Sequence, residues 1–154
     1  MDVSHVAGAL VAAVEPDPDQ AVKVACVVRE LVCAELVIGD SAHAVLAALR
    51  GRAPDLILAS PLLLPADEAL ITDWLRQLGA RAMHVQALTI PLLAAIDPAS
   101  RESGFWSALR RKPSNTPAGC ASETFAEQVR GYLDLASIGR ERHRAQDVLT
   151  AGRS

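Results

Sequence analysis

The chain has 154 residues, a length typical of one domain built around a single hydrophobic core. Apolar residues make up 51% and charged residues 21%, which excludes wholesale disorder, and a net charge of -3 argues against a dedicated polyanion-binding module. Aromatics are only 3%, against 28 Ala and 20 Leu, so the core is expected to be aliphatic, with small residues allowing close helix–sheet contact.

No apolar run approaches the roughly 20 residues that span a bilayer. The start, Met1-Asp2, lacks the basic segment of a secretion signal. Cys26, Cys33 and Cys120 form no C-x-x-C pair, so neither a disulfide framework nor a zinc site is expected, and the simplest compartment is a reducing cytoplasm. His5, His43, His84 and His143 are dispersed, with no pair at helical spacing that would suggest a metal or a histidine-based catalytic centre.

Residues 6–14 (VAGALVAAV) read as a buried parallel strand ended by Pro16 and Pro18. Residues 19–32 carry apolar groups on a broad helical face, which places Cys26 and Cys33 on one side as small buried hydrophobes. Residues 36–38 form a second strand. Asp40 or Ser41 caps the next helix, which runs to Gly51. Residues 54–60 (PDLILAS) are the clearest buried strand, followed by a loop over 61–65 and a helix over 66–78 that stops at Gly79. A fourth strand is predicted over 83–89 and a short, irregular fourth helix over 92–96, ended by Asp97-Pro98. Residues 97–104 read as a polar loop, residues 105–111 fit strand or helix and stand in the alternation as a weak fifth strand, and 114–121 read as a further loop. A last amphipathic helix starts near Ser122, with Phe125, Val129, Tyr132, Leu133 and Ala136 on one side. This gives a domain over 1–137 and a polar tail or helix extension over 138–154. The alternation of strand and helix predicts a three-layer α/β/α fold around a parallel sheet.

At this point the residues resemble response-regulator receiver domains. Pro54-Asp55-Leu56-Ile57-Leu58-Ala59-Ser60 is similar to the family's third strand, P-D-L-[IV]-L-x-D. Val14-Glu15-Pro16-Asp17-Pro18 resembles its acidic first turn, Ala87-Leu88-Thr89 the end of its fourth strand, and Lys112-Pro113 the pair after its fifth. The intervals from Glu15 to Ser60 to Thr89 to Lys112 are 45, 29 and 23 residues, close to the family's spacing. The resemblance covers residues 6 to about 137 and implies a five-stranded parallel sheet in the order 2-1-3-4-5. It also implies a phosphorylation pocket in which an aspartate accepts a phosphoryl group, acidic turn residues hold Mg2+, and a hydroxyl and a lysine contact the phosphoryl oxygens.

The sequence departs from that pattern at the pocket. Ser60 stands at the acceptor position, and Pro16 replaces the second acid of the turn. Only Thr89 and Lys112 match unchanged, and Lys112 is expected to form an ion pair with Glu15 or Asp17. Asp55, five residues before Ser60, points toward the start of the domain and is no substitute. The expectation is a degenerate pseudo-receiver with no metal, no cofactor and no enzymatic activity.

Such a chain would act by contact, as a signalling or scaffolding module. About 17 residues follow the last packed helix, too few for an output domain. The candidate partner surface comprises Leu62, Leu63 and Leu64 after the third strand, Phe105 and Trp106 before the fifth, and Tyr132 on the last helix. A protein partner or a second copy would dock on the face made by the fourth helix, fifth strand and fifth helix; no nucleic acid or membrane is expected. Two alternatives stand beside this reading: a stand-alone response regulator of a two-component phosphorelay with an altered pocket, and a small-ligand-binding flavodoxin-like domain.

Overall fold

The computed structural model describes residues 8–94 and 119–152. Four strands form one parallel sheet: β1 (Leu10–Val14), β2 (Glu35–Gly39), β3 (Leu56–Ala59) and β4 (Gln86–Thr89), in the spatial order β2-β1-β3-β4. This is the first part of the expected 2-1-3-4-5 order. The expected fifth strand, over 105–111, and the last two residues of the expected fourth helix, over 92–96, lie outside the described residues. The helices are α1 (Pro18–Cys26), α2 (Ala42–Leu49), α3 (Pro65–Leu78) and α4 (Ser122–Ala151).

Strand alternation sorts the sheet's side chains onto two faces. Val11 and Ala13 of β1 and Leu56 and Leu58 of β3 pack against Val24 of α1 and against Phe125, Val129 and Leu133 of α4. Leu10, Ala12, Val14 and Ile57 pack on the other side against Val45 and Leu49 of α2, with the half-buried Ile71, Trp74 and Leu75 of α3. Helices thus cover both faces, which is why β1 and β3 read as unbroken apolar runs. Trp74 is a core residue of the second face, only partly sealed.

Several expected boundaries shift for identifiable reasons. The first strand begins at Leu10, because Gly8 takes a left-handed φ of 94° and the Leu10 N–H is given to a side chain, Asp55 Oδ2, at 2.8 Å; residues 6 and 7 of the expected strand lie outside the described residues. The single helix expected over 19–32 changes hydrogen-bonding pattern at Val27 and finishes as a π-helical turn, Val27–Val32, closed by Cys33 at φ 61°. That left-handed residue swings the chain into β2, so Cys33 is exposed and Cys26 only half-buried, correcting the reading of both as buried. Ser41 caps α2 by accepting the Ala44 N–H at 3.2 Å, and Arg50 and Gly51, both at positive φ, end it.

The fourth strand is shorter than its apolar pattern, since Gly79–Ala82 form a 3₁₀ turn before it. Residues 92–94 are not the start of a helix. Leu93 instead makes a parallel bridge with Cys120: Cys120 N–H donates to Leu92 O at 2.7 Å and Ala94 N–H to Cys120 O at 3.0 Å. So the loop expected over 114–121 ends in a paired residue. Gly119 is required beside that bridge, because an added Cβ would sit 2.7 Å from Leu92 O and 2.9 Å from Ala94 N. The polar segment after Ser137 continues α4 to Ala151 as helix.

Candidate functional site

The register fixes what meets at the carboxyl edge of the sheet. Val14 is aligned with Gly39 and with Ala59, and Ala59 with Thr89. One residue further on, Glu15 and Ser60 are therefore neighbours on adjacent strands, about 4.8 Å apart in backbone spacing. Both are buried, at 4% exposure each. The pairing continues through Ser60 N–H to Val14 O at 3.0 Å and Glu15 N–H to Gly39 O at 3.0 Å.

Each polar side chain at this edge already has a local role. Ser60 Oγ accepts the Leu62 N–H at 3.1 Å, and Ser60 O accepts the Leu63 N–H at 3.2 Å, so the serine shapes the turn out of β3. Glu15 Oε1 accepts the Asp17 N–H at 3.1 Å, and Asp17 Oδ1 accepts the Asp19 N–H at 3.0 Å as the cap of α1. Pro16 and Asp17 are exposed. Asp67, in the first turn of α3, accepts the Ala42 N–H at 3.2 Å and ties α3 to the start of α2.

Thr89 is less central than its place in the motif suggests. Ser60 lies across from Ile90, not Thr89, as the Ile90 N–H to Ala59 O bond of 2.8 Å shows. Leu58, Leu88 and Ile90 belong to one face of the sheet, so alternation turns the exposed Thr89 to the other. Lys112, Phe105 and Trp106 lie outside the described residues. Of the candidate surface, Leu62 and Leu64 are exposed at 77% and 66%, while Leu63 folds back against the α2/α3 core. Tyr132 is half-buried against the α1/α4 core.

Mg2+ takes a near-octahedral shell of oxygens and is held chiefly by carboxylates. Here Glu15 is the only buried acid at the edge among the described residues, Pro16 has no side-chain oxygen, and Ser60 Oγ is neutral and engaged. These residues do not fit the metal site of a phosphorylated receiver.

A second polar arrangement was not foreseen. Gln20, buried in α1, holds the segment after β4 through both ends of its amide: Leu93 N–H donates to Oε1 at 3.1 Å and Nε2 to Leu93 O at 3.5 Å, with Lys23 Nζ also 3.3 Å from that carbonyl. Nothing in the sequence distinguishes this glutamine from a surface residue of an amphipathic helix.

At the opposite, amino edge, Asp55 occupies the position its place in the strand predicts. Its Oδ2 takes the Leu10 N–H, and its Oδ1 faces Arg140 Nη1 of α4 at 3.2 Å and His84 Nε2 at 3.5 Å. Oδ1 is buried with no hydrogen bond of good geometry. Burial holds His84 below its ordinary 6.5; the attraction of Asp55 opposes this, and Arg140 and His143 reinforce it. Near neutral pH His84 thus meets Asp55 as a neutral imidazole. The unfolded chain binds the proton more readily, so His84 contributes stability above about pH 6.5 that is lost as pH falls toward its lowered folded value. A thermal melt is expected to drop between pH 7.5 and 5.5, with a shallower slope in His84→Gln. Identical slopes would rule out this role.

No protein-family model matches the chain, and no curated protein matches it significantly. Solved structures do. The signal receiver domain of a signal transduction histidine kinase from Syntrophus aciditrophicus aligns over 82% of this chain and 91% of its own, with a TM-score of 0.52 and 18% identity. The anti-anti-sigma factor PhyR from Bartonella quintana aligns over 96% of this chain with a TM-score of 0.51 and 16% identity, and the match spans 54% of that protein. At such identities the likeness establishes the fold: the chain has a receiver-like α/β architecture.

Proposed function

We propose that the chain is a phosphorylation-independent receiver-like module that acts through protein–protein contact, as a signalling or scaffolding subunit. The observation that carries this reading is Ser60. It sits buried where the third strand meets the pocket, and its hydroxyl is committed to the Leu62 N–H. A serine there offers no carboxylate to form an acyl phosphate. Pro16 removes a second oxygen donor, and the surviving Glu15 is tied to the backbone of its own turn. What the edge retains is shape, not chemistry.

The exposed Leu62 and Leu64 support a contact role, since two large apolar side chains beside an inert pocket expose surface that a partner would cover. The partner, or a second copy, would dock on this end of the sheet and on the adjoining face that includes the first half of α4.

Magnesium titration calorimetry tests the pocket. The native chain and Ser60→Asp are both expected to bind Mg2+ weakly or not at all, because the new carboxylate still lacks the acid at position 16. Adding Pro16→Asp to Ser60→Asp is expected to raise affinity above either. Tight binding by the native chain, or by Ser60→Asp alone, contradicts the reading.

A further inference from the structure

The chain carries a net charge of -3, yet its amino edge gathers three arginines. A cleft of about 400 Å3 lies between the 3₁₀ turn before β4 and the second half of α4, and Arg81, Arg140, Arg144, His84 and His143 line it. Its volume falls in the range of small-molecule sites, about 300–1,000 Å3. The remaining wall includes Ala53, Ala80 and the largely exposed Met83. One carboxylate, Asp147, also lines the cleft, 3.5 Å from His143 Nε2.

The three guanidinium groups are held differently. Arg81 Nη2 donates to Gly51 O at 2.7 Å, which fixes that side chain against the loop after α2. Arg140 is braced from behind by Asp55 Oδ1 at 3.2 Å and is still 38% exposed. Arg144, one helical turn on, has no carboxylate partner among the described residues. Gly139 of the helix faces His84 in the turn before β4. Asp55 stands behind this lining and holds Arg140 and His84 in place.

We propose that this cleft binds a phosphomonoester with an apolar or aromatic body, its phosphate held by Arg81, Arg140 and Arg144. Guanidinium forks match phosphate oxygens bidentately, and the alanine and methionine wall supplies a surface for the body. The site lies at the opposite end of the sheet from Ser60, so it stands or falls independently of the inert-pocket reading.

Calorimetry with adenosine monophosphate, inorganic phosphate and adenosine as probes tests it. Adenosine monophosphate is expected to bind saturably, inorganic phosphate more weakly, and neutral adenosine not measurably. Arg144→Ala, which removes a side chain with no carboxylate partner among the described residues, is expected to weaken adenosine monophosphate about tenfold or more, equivalent to about 1.4 kcal/mol. Arg81→Gln provides the same comparison from the other wall. Absence of saturable binding by either phosphate probe, or native affinity in both variants, overturns the proposal.

Discussion

Phe125→Ala is expected to destabilise the fold by about 3–5 kcal/mol. Phe125 is fully buried in the first turn of α4, against the face built by Val11, Ala13, Leu56 and Leu58. Among the described residues Phe125 is the largest fully buried side chain, and the valines and alanines around it cannot close the cavity. Since whole domains are stable by about 5–15 kcal/mol, the loss would bring the chain near its unfolding threshold. Urea denaturation followed by far-ultraviolet circular dichroism measures it. A loss below about 1 kcal/mol, the level of an exposed substitution, would mean that α4 is not anchored as described.

The second large effect belongs to Asp55→Ala, expected to cost about 2–3 kcal/mol. Truncation removes the acceptor of the buried Leu10 N–H and leaves Arg140 and His84 facing each other without the carboxylate between them. The figure stays below that of a fully buried pair because Arg140 is 38% exposed and regains water. Asp55→Asn keeps an acceptor for Leu10 and is expected to recover part of the loss. Equal destabilisation by both variants would place the whole effect on the charge; none in either would dissolve the cluster. Together the two substitutions test the two anchors of α4, apolar in its first half and ionic in its second.

How much of this was legible in the sequence depends on whether a feature is local. The runs LVAAV and LILA announce buried parallel strands because both sheet faces are covered, and Ser41, Pro65 and Gly79 mark helix ends through their own backbone chemistry. The alignment of Glu15 with Ser60 followed from motif spacing, and the register places them side by side. Boundaries set by tertiary contacts were not readable. The start of β1 depends on Asp55 taking the Leu10 N–H across 45 residues, and the fate of Leu93 depends on Gln20 and Cys120. Thr89 shows the limit of motif matching: a residue can occupy the right position in a pattern and still face away by one step of strand alternation. The amino-edge cleft was not readable because Arg81 is far in sequence from Arg140 and Arg144, and only the fold brings the 3₁₀ turn before β4 against the second half of α4.

The central claim is that a receiver-like scaffold persists here without phosphoacceptor chemistry. Incubation of the native chain with acetyl phosphate and Mg2+, followed by intact-mass measurement under conditions that preserve acyl phosphates, tests it most directly. The account predicts an unchanged mass. Stoichiometric gain of one acid-labile phosphoryl group would contradict it.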